Sequence, residues 1–147
     1  MVNHHSVIVN ASQEKIYREM LSWGEGEWWP KESPMRYTRL SEGSGAVPGI
    51  RFRQKVHVPF GPEWEVEVIS ATPLREVSWK FIEGMFTGVY RVYIIPDEEA
   101  CELHFMMDYE IKGPVNRLVW RLFSLVQHDR NILLILNSLK DYLEVRR

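Results

Sequence analysis

The sequence predicts a single α+β domain over residues 1–147, built from a curved antiparallel sheet of about seven strands and one long C-terminal helix. Three observations carry this. Segments from Arg36 to Ile111 alternate apolar and polar residues between turn signals, as half-buried strands do. Two neighbouring segments carry opposite charges on their polar sides, Arg51, Arg53 and Lys55 against Glu63, Glu65 and Glu67, which predicts a hairpin. Residues 115–147 contain no Gly or Pro and repeat apolar residues at helical spacing.

The elements follow in order. His5 to Asn10 places Val7 and Val9 on one face and reads as an opening strand. Ser12 can cap a helix with Glu14 in its first turn, where a carboxylate suits the helix dipole. Ile16, Tyr17, Met20 and Leu21 share one face of that helix, and Gly24 and Gly26 end it. Glu25 to Pro30 is a short helical turn or loop. Arg36 to Leu40 is the next strand. Phe52, Gln54 and Val56 then share one face, with Pro59, Gly61 and Pro62 as the turn. Trp64, Val66 and Val68 face inward on the returning strand. Val77, Trp79 and Phe81 follow, then Tyr90, Val92 and Ile94, then Leu103, Phe105, Met107, Tyr109 and Ile111. Pro114 suits a first helical turn. The stripe Leu118, Val119, Leu122, Phe123, Val126, Leu133, Leu136, Leu139, Tyr142 and Leu143 is expected to close onto the sheet. A helix this long must cross the whole sheet, and a bend would accommodate it.

Composition excludes several classes. Apolar residues make up 45% and charged residues 26%, with a net charge of −2, an ordinary globular balance. No basic block marks a nucleic-acid footprint, and the two terminal arginines are too few for a basic tail. Cys101 is the single cysteine, which rules out an internal disulfide and a multi-cysteine zinc site. The N-terminus lacks the pattern of a secretory signal, and Ile132–Leu136 is far too short to span a bilayer. Stable membrane insertion is not expected, and a cytoplasmic location is the default.

A meander wrapped over one helix leaves space that large side chains or a ligand must fill. The expected lining is Phe52, Gln54, Val56, Trp64, Trp79, Tyr90, Phe105, Met107 and Tyr109 from the sheet. Leu122 and Val126 would close it from the helix, with Trp28 and Trp29 near the entrance. Gln54 is the polar exception and either orients a ligand or is a satisfied buried amide.

The ordered motifs resemble the START-like superfamily, which includes the birch-pollen-allergen fold, polyketide cyclases/dehydrases and lipid-transfer proteins. The matching segments are Ala11-Ser12-Gln13-Glu14-Lys15-Ile16-Tyr17, Trp28-Trp29-Pro30, Gly88-Val89-Tyr90-Arg91-Val92 before Pro96, and Leu136 to Leu143. The resemblance covers nearly the whole chain. It implies a helix-grip fold with a deep apolar cavity, and it spans carriers and enzymes alike.

Three functions follow as expectations. The first is binding or transport of a hydrophobic small molecule, lipid or polyketide-like, without a cofactor or metal. The second is a polyketide cyclase or aromatase, in which Tyr and Gln groups would polarise carbonyls. The third is a homodimeric interaction module using an exposed patch at Trp28 and Trp29; the chain is otherwise a monomer. No catalytic residue is assigned. His57 and His104 fall on polar strand faces, His128 and Asp129 on a solvated helix face, with Arg121 or Arg130 as partners for Asp129. Cys101 reads as a small buried hydrophobe, and the His4–His5 pair carries no functional reading.

Overall fold

A computed structural model describes residues 1–59 and 61–145. Arg146 and Arg147, the two terminal arginines, lie outside them. Strand β1 spans Val2–Val9 and helix α1 Gln13–Met20. Five strands then run through β2 (Met35–Arg39), β3 (Arg51–Val56), β4 (Glu63–Thr72), β5 (Glu76–Glu83) and β6 (Phe86–Pro96). Strand β7 (Cys101–Ile111) precedes the C-terminal helix, which comprises α2 (Pro114–Val119), a π-helical segment (Trp120–Ser124) and α3 (Leu125–Val145). The strands form one antiparallel sheet in the order β1-β7-β6-β5-β4-β3-β2. The sheet curls into a half-barrel around the C-terminal helix, which is the helix-grip fold.

Local chemistry explains most of these elements. Ser12 caps α1, its hydroxyl accepting from the Lys15 N–H at 3.3 Å, and Ile16 and Met20 are fully buried. In the β3–β4 hairpin Arg51, Arg53 and Lys55 sit directly opposite Glu67, Glu65 and Glu63. Ion pairs of 2.9 Å (Arg51–Glu67) and 3.2 Å (Arg53–Glu65) cross the exposed face. Such solvated pairs set register more than they add stability. Register shifts within the β4–β5 pairing leave Ile69 and Ile82 unmatched, and extra residues of this kind bend a sheet. Gly88, opposite Tyr109 on β7, has φ +119°, and an added Cβ there would sit 2.1 Å from the Asp108 carbonyl oxygen.

Three expectations change. Strand β1 begins earlier than His5, and its register puts His5 opposite Phe105 and Ser6 opposite His104. His104 is therefore buried rather than solvent-facing: it stacks on Tyr93 at 4.8 Å, and the His4 ring nitrogen approaches its Nδ1 at 2.7 Å. Trp28 and Trp29 are buried, so they form no exposed aromatic patch.

The largest change is on the C-terminal helix. Leu118, Leu122, Phe123 and Val126 point to solvent, with Leu122 58% and Val126 53% exposed, while Trp120 turns inward at 6%. The buried face of α3 runs through Ile132, Ile135, Leu136, Leu139 and Leu143. Arg121 precedes Leu139 by about five turns of α-helix, so an unbroken helix would aim Arg121 at the sheet. The π-helical segment, closed by the Leu125 N–H on the Trp120 carbonyl, adds one residue to a turn. It brings Trp120 to the sheet instead. Residues 115–126 carry apolar side chains on nearly every side, so periodicity alone could not choose between the two faces.

Replacing Gly88 by Ala forces a Cβ into the β7 backbone at a positive φ. We expect a loss of about 2–3 kcal/mol in urea unfolding, against less than about 1 kcal/mol for Thr87→Ala on the exposed side of the same strand.

Candidate functional site

The concave face of the sheet is filled with rings. Trp23, from the turn after α1, lies 5.5–6.3 Å from Trp28, Trp29, Trp79 and Phe105. Trp79 stacks on Tyr90 at 4.9 Å and 13°. Offset aromatic contacts of this kind add to what area burial alone provides. They leave a void of about 20 Å³ beneath the helix, room for about one water.

Six of the expected site residues line that void: Trp29, Gln54, Trp64, Tyr90, Phe105 and Met107. The polar atoms of Gln54, Trp64 and Tyr90 bind one another. The Trp64 indole N–H donates to Gln54 Oε1 at 2.9 Å, and the Tyr90 hydroxyl donates to the same oxygen at 3.2 Å. Because that proton is committed, Tyr37 donates to the Tyr90 oxygen at 3.0 Å and receives the Trp23 N–H at 3.2 Å. Burial pushes both phenols above their usual range, so Tyr37 and Tyr90 are neutral. Gln54 is thus a satisfied buried amide.

A larger space lies toward one end of the sheet. A cleft of about 470 Å³ opens between the β3–β4 turn and the start of the C-terminal helix. Val56, Trp64, Met85 and Phe86 form its sheet side, and Val119 and Trp120 its helix side. A row of polar residues, Ser124, Gln127, His128 and Asn131, runs along one wall. Of the expected residues, Val56 and Trp64 reach this cleft. Phe52, Trp28, Trp79 and Tyr109 are buried in the core outside both linings. Leu122 and Val126 face solvent away from both.

The polar row was legible in principle. Ser124, His128 and Asn131 recur at positions i, i+4 and i+7, one face of a helix, and a polar stripe within an apolar segment marks a wall. Asn131 accepts the Ser33 hydroxyl at 2.5 Å, which ties the helix to the loop before β2.

His128 borders both the void and the cleft. Its Nε2 lies 3.2 Å from Asn3 Oδ1, and the Asn3 amide donates to Asp129 Oδ1 at 2.7 Å. An amide oxygen can only accept, so His128 carries its proton on Nε2. His5 Nε2 contacts the same Asp129 oxygen at 2.8 Å, so Asp129 is held from β1 rather than by Arg121 or Arg130. Burial raises the Asp129 carboxyl, but the Asn3 and His5 hydrogen bonds outweigh it and hold it below its usual value.

Burial lowers the His128 imidazole from 6.5 to about 4, a shift that His5 deepens and Asp129 opposes. The unfolded chain takes up this proton below pH 6.5, whereas the folded chain resists until about pH 4. Stability from this group is therefore full above pH 6.5 and is lost as pH falls toward 4. Between pH 7 and pH 5 the loss should be about 2 kcal/mol in urea unfolding, and His128→Gln should remove most of that difference.

No family model matches the chain, and no curated protein matches it. Solved structures do. Norcoclaurine synthase from Thalictrum flavum, in complex with dopamine and hydroxybenzaldehyde, is 15% identical with a TM-score of 0.74, covering 100% of this chain and 88% of that one. The KanY protein is 18% identical with a TM-score of 0.75, covering 98% and 97%. The Aha1 dimer from Colwellia psychrerythraea is 20% identical with a TM-score of 0.65, covering 99% and 97%. At these identities the likeness concerns the backbone, not the chemistry, and it agrees with the strand order and the gripped helix: the chain has the START-like, birch-pollen-allergen-like helix-grip fold.

Proposed function

We propose that the chain binds and carries a hydrophobic small molecule, lipid or polyketide-like, in the cleft between the β3–β4 turn and the start of the C-terminal helix. The observation behind this reading is the cleft of about 470 Å³ with mostly apolar walls and one polar row. Small-molecule sites combine these features at volumes of roughly 300–1,000 Å³. Each 100 Å² of ligand apolar surface removed from water contributes about 2.5 kcal/mol before association costs. His128, neutral and with its proton fixed on Nε2, leaves Nδ1 as an acceptor for a ligand hydroxyl. Norcoclaurine synthase, with the same fold, holds two small aromatic molecules in its structure.

Binding is favoured over cyclase chemistry by the state of the inner polar groups. A cyclase would use hydroxyls and amides free to polarise ligand carbonyls. Here Gln54, Tyr37 and Tyr90 are spent on one another, beside space for about one water.

Trp64 and Trp120 line the cleft and report on its occupation. Titrating the full chain with oleate should give a saturable change in tryptophan emission, with one equivalent retained in native mass spectrometry. Ser124→Trp, which fills the cleft from the helix, should weaken binding at least about tenfold with little change in melting temperature. Unsaturable titration, or equal binding by the filled variant, would remove this reading.

A further inference from the structure

We propose that the outward face of residues 114–126 docks the protein onto an anionic lipid surface, lying in the plane of the interface beside the mouth of the cleft. Val115, Leu118, Val119, Leu122, Phe123 and Val126 are 72, 57, 44, 58, 66 and 53% exposed. They occupy one side of a helix whose other side packs Trp120 on the sheet. A contiguous apolar face of this kind on a folded domain marks a contact surface.

The charges beside it identify the contact. Lys112, Arg117 and Arg121 are exposed, and no Asp or Glu occurs from residue 112 to residue 128. The chain as a whole carries a net charge of −2, so this segment is basic against its background. None of the three joins an ion pair among the described residues. Arg117 and Arg121 are four residues apart and flank the apolar side as one row. Apolar residues bordered by arginines on a surface helix suit insertion at the headgroup level, with the cations held by anionic headgroups.

A second copy of the chain fits this face less well. In a two-fold pairing the same patch meets itself, so the arginine rows would approach one another with no carboxylate in the segment to neutralise them. Spanning is not involved, because no described helix is long and apolar enough to cross a membrane. Val119 belongs both to the exposed face and to the cleft wall. A docked molecule would therefore open its cleft onto the lipid, and an apolar molecule could pass without crossing water.

The test is sedimentation of the full chain with vesicles of phosphatidylcholine containing phosphatidylglycerol, against phosphatidylcholine alone. No cleft ligand is present, so the outcome does not depend on the ligand reading above. The chain should sediment with the anionic vesicles only and be released by raised salt. The double variants Leu122→Ser/Phe123→Ser and Arg117→Glu/Arg121→Glu should each weaken partitioning at least about tenfold. Both alter exposed side chains, so melting temperature should hold and separate lost docking from lost folding. Absence of sedimentation with anionic vesicles, or variants that sediment like the parent, would overturn the proposal. So would a dimer in solution that Phe123→Ser dissociates while vesicle binding is absent; that result would assign the face to a second copy.

Discussion

The structure turns on the need to bury tryptophan rings while giving each indole N–H an acceptor. The chain has six tryptophans, and five find partners: Trp23 on Tyr37, Trp28 on Ser22, Trp29 on the Met35 carbonyl, Trp64 on Gln54 and Trp120 on Tyr109. Four of these bonds end on a strand residue, Tyr37, Met35, Gln54 or Tyr109, and so tie a loop, a strand or the helix to the sheet, while the Trp28–Ser22 bond closes the connection between α1 and β2. The Trp79 N–H is buried with no hydrogen-bond partner among the described residues, although its ring stacks on Tyr90. Rings so held fill the concave face. The open space is thereby displaced to the end of the sheet where the helix begins.

That displacement separates two roles usually assigned to one cavity. The deep groups, Gln54, Tyr37 and Tyr90, form a closed chain of hydrogen bonds and act as structure. The accessible polar groups come from the helix, and the most constrained of them is His128. Its proton position is set from β1 through Asn3, the same residue that holds Asp129. Asn3 thus ties the His128 and Asp129 side chains of the helix to strand β1.

Much of this was legible in the sequence. The β3–β4 hairpin followed from alternation and opposed charges, and both survive residue by residue in the register of Arg51, Arg53 and Lys55 with their glutamates. The inward residues of β4 to β7 followed from strict period-two patterning. Gln54 was recognised as inward, but its partners lie on β2, β4 and β6, and no local pattern encodes them. The strand that begins at Val2 was hidden because its outward and inward positions both carry polar residues, His4 and His5, whose partners are likewise remote. The helix face was misassigned for a different reason. A segment apolar on all sides has no periodic signal, and the sheet decided between Trp120 and Arg121 on the cost of burying a guanidinium.

The π-helical segment also bears on how this chain should be compared with others. Any alignment that treats Pro114–Val145 as one regular helix carries the numbering of the gripped face straight through Trp120–Ser124, and so pairs Leu118 and Arg121 with core positions of a straight-helix protein. The surplus residue belongs inside that turn. Placing a one-residue gap there makes Trp120 equivalent to a core position. It also leaves the residues before it free to vary under selection for a surface rather than for an interior.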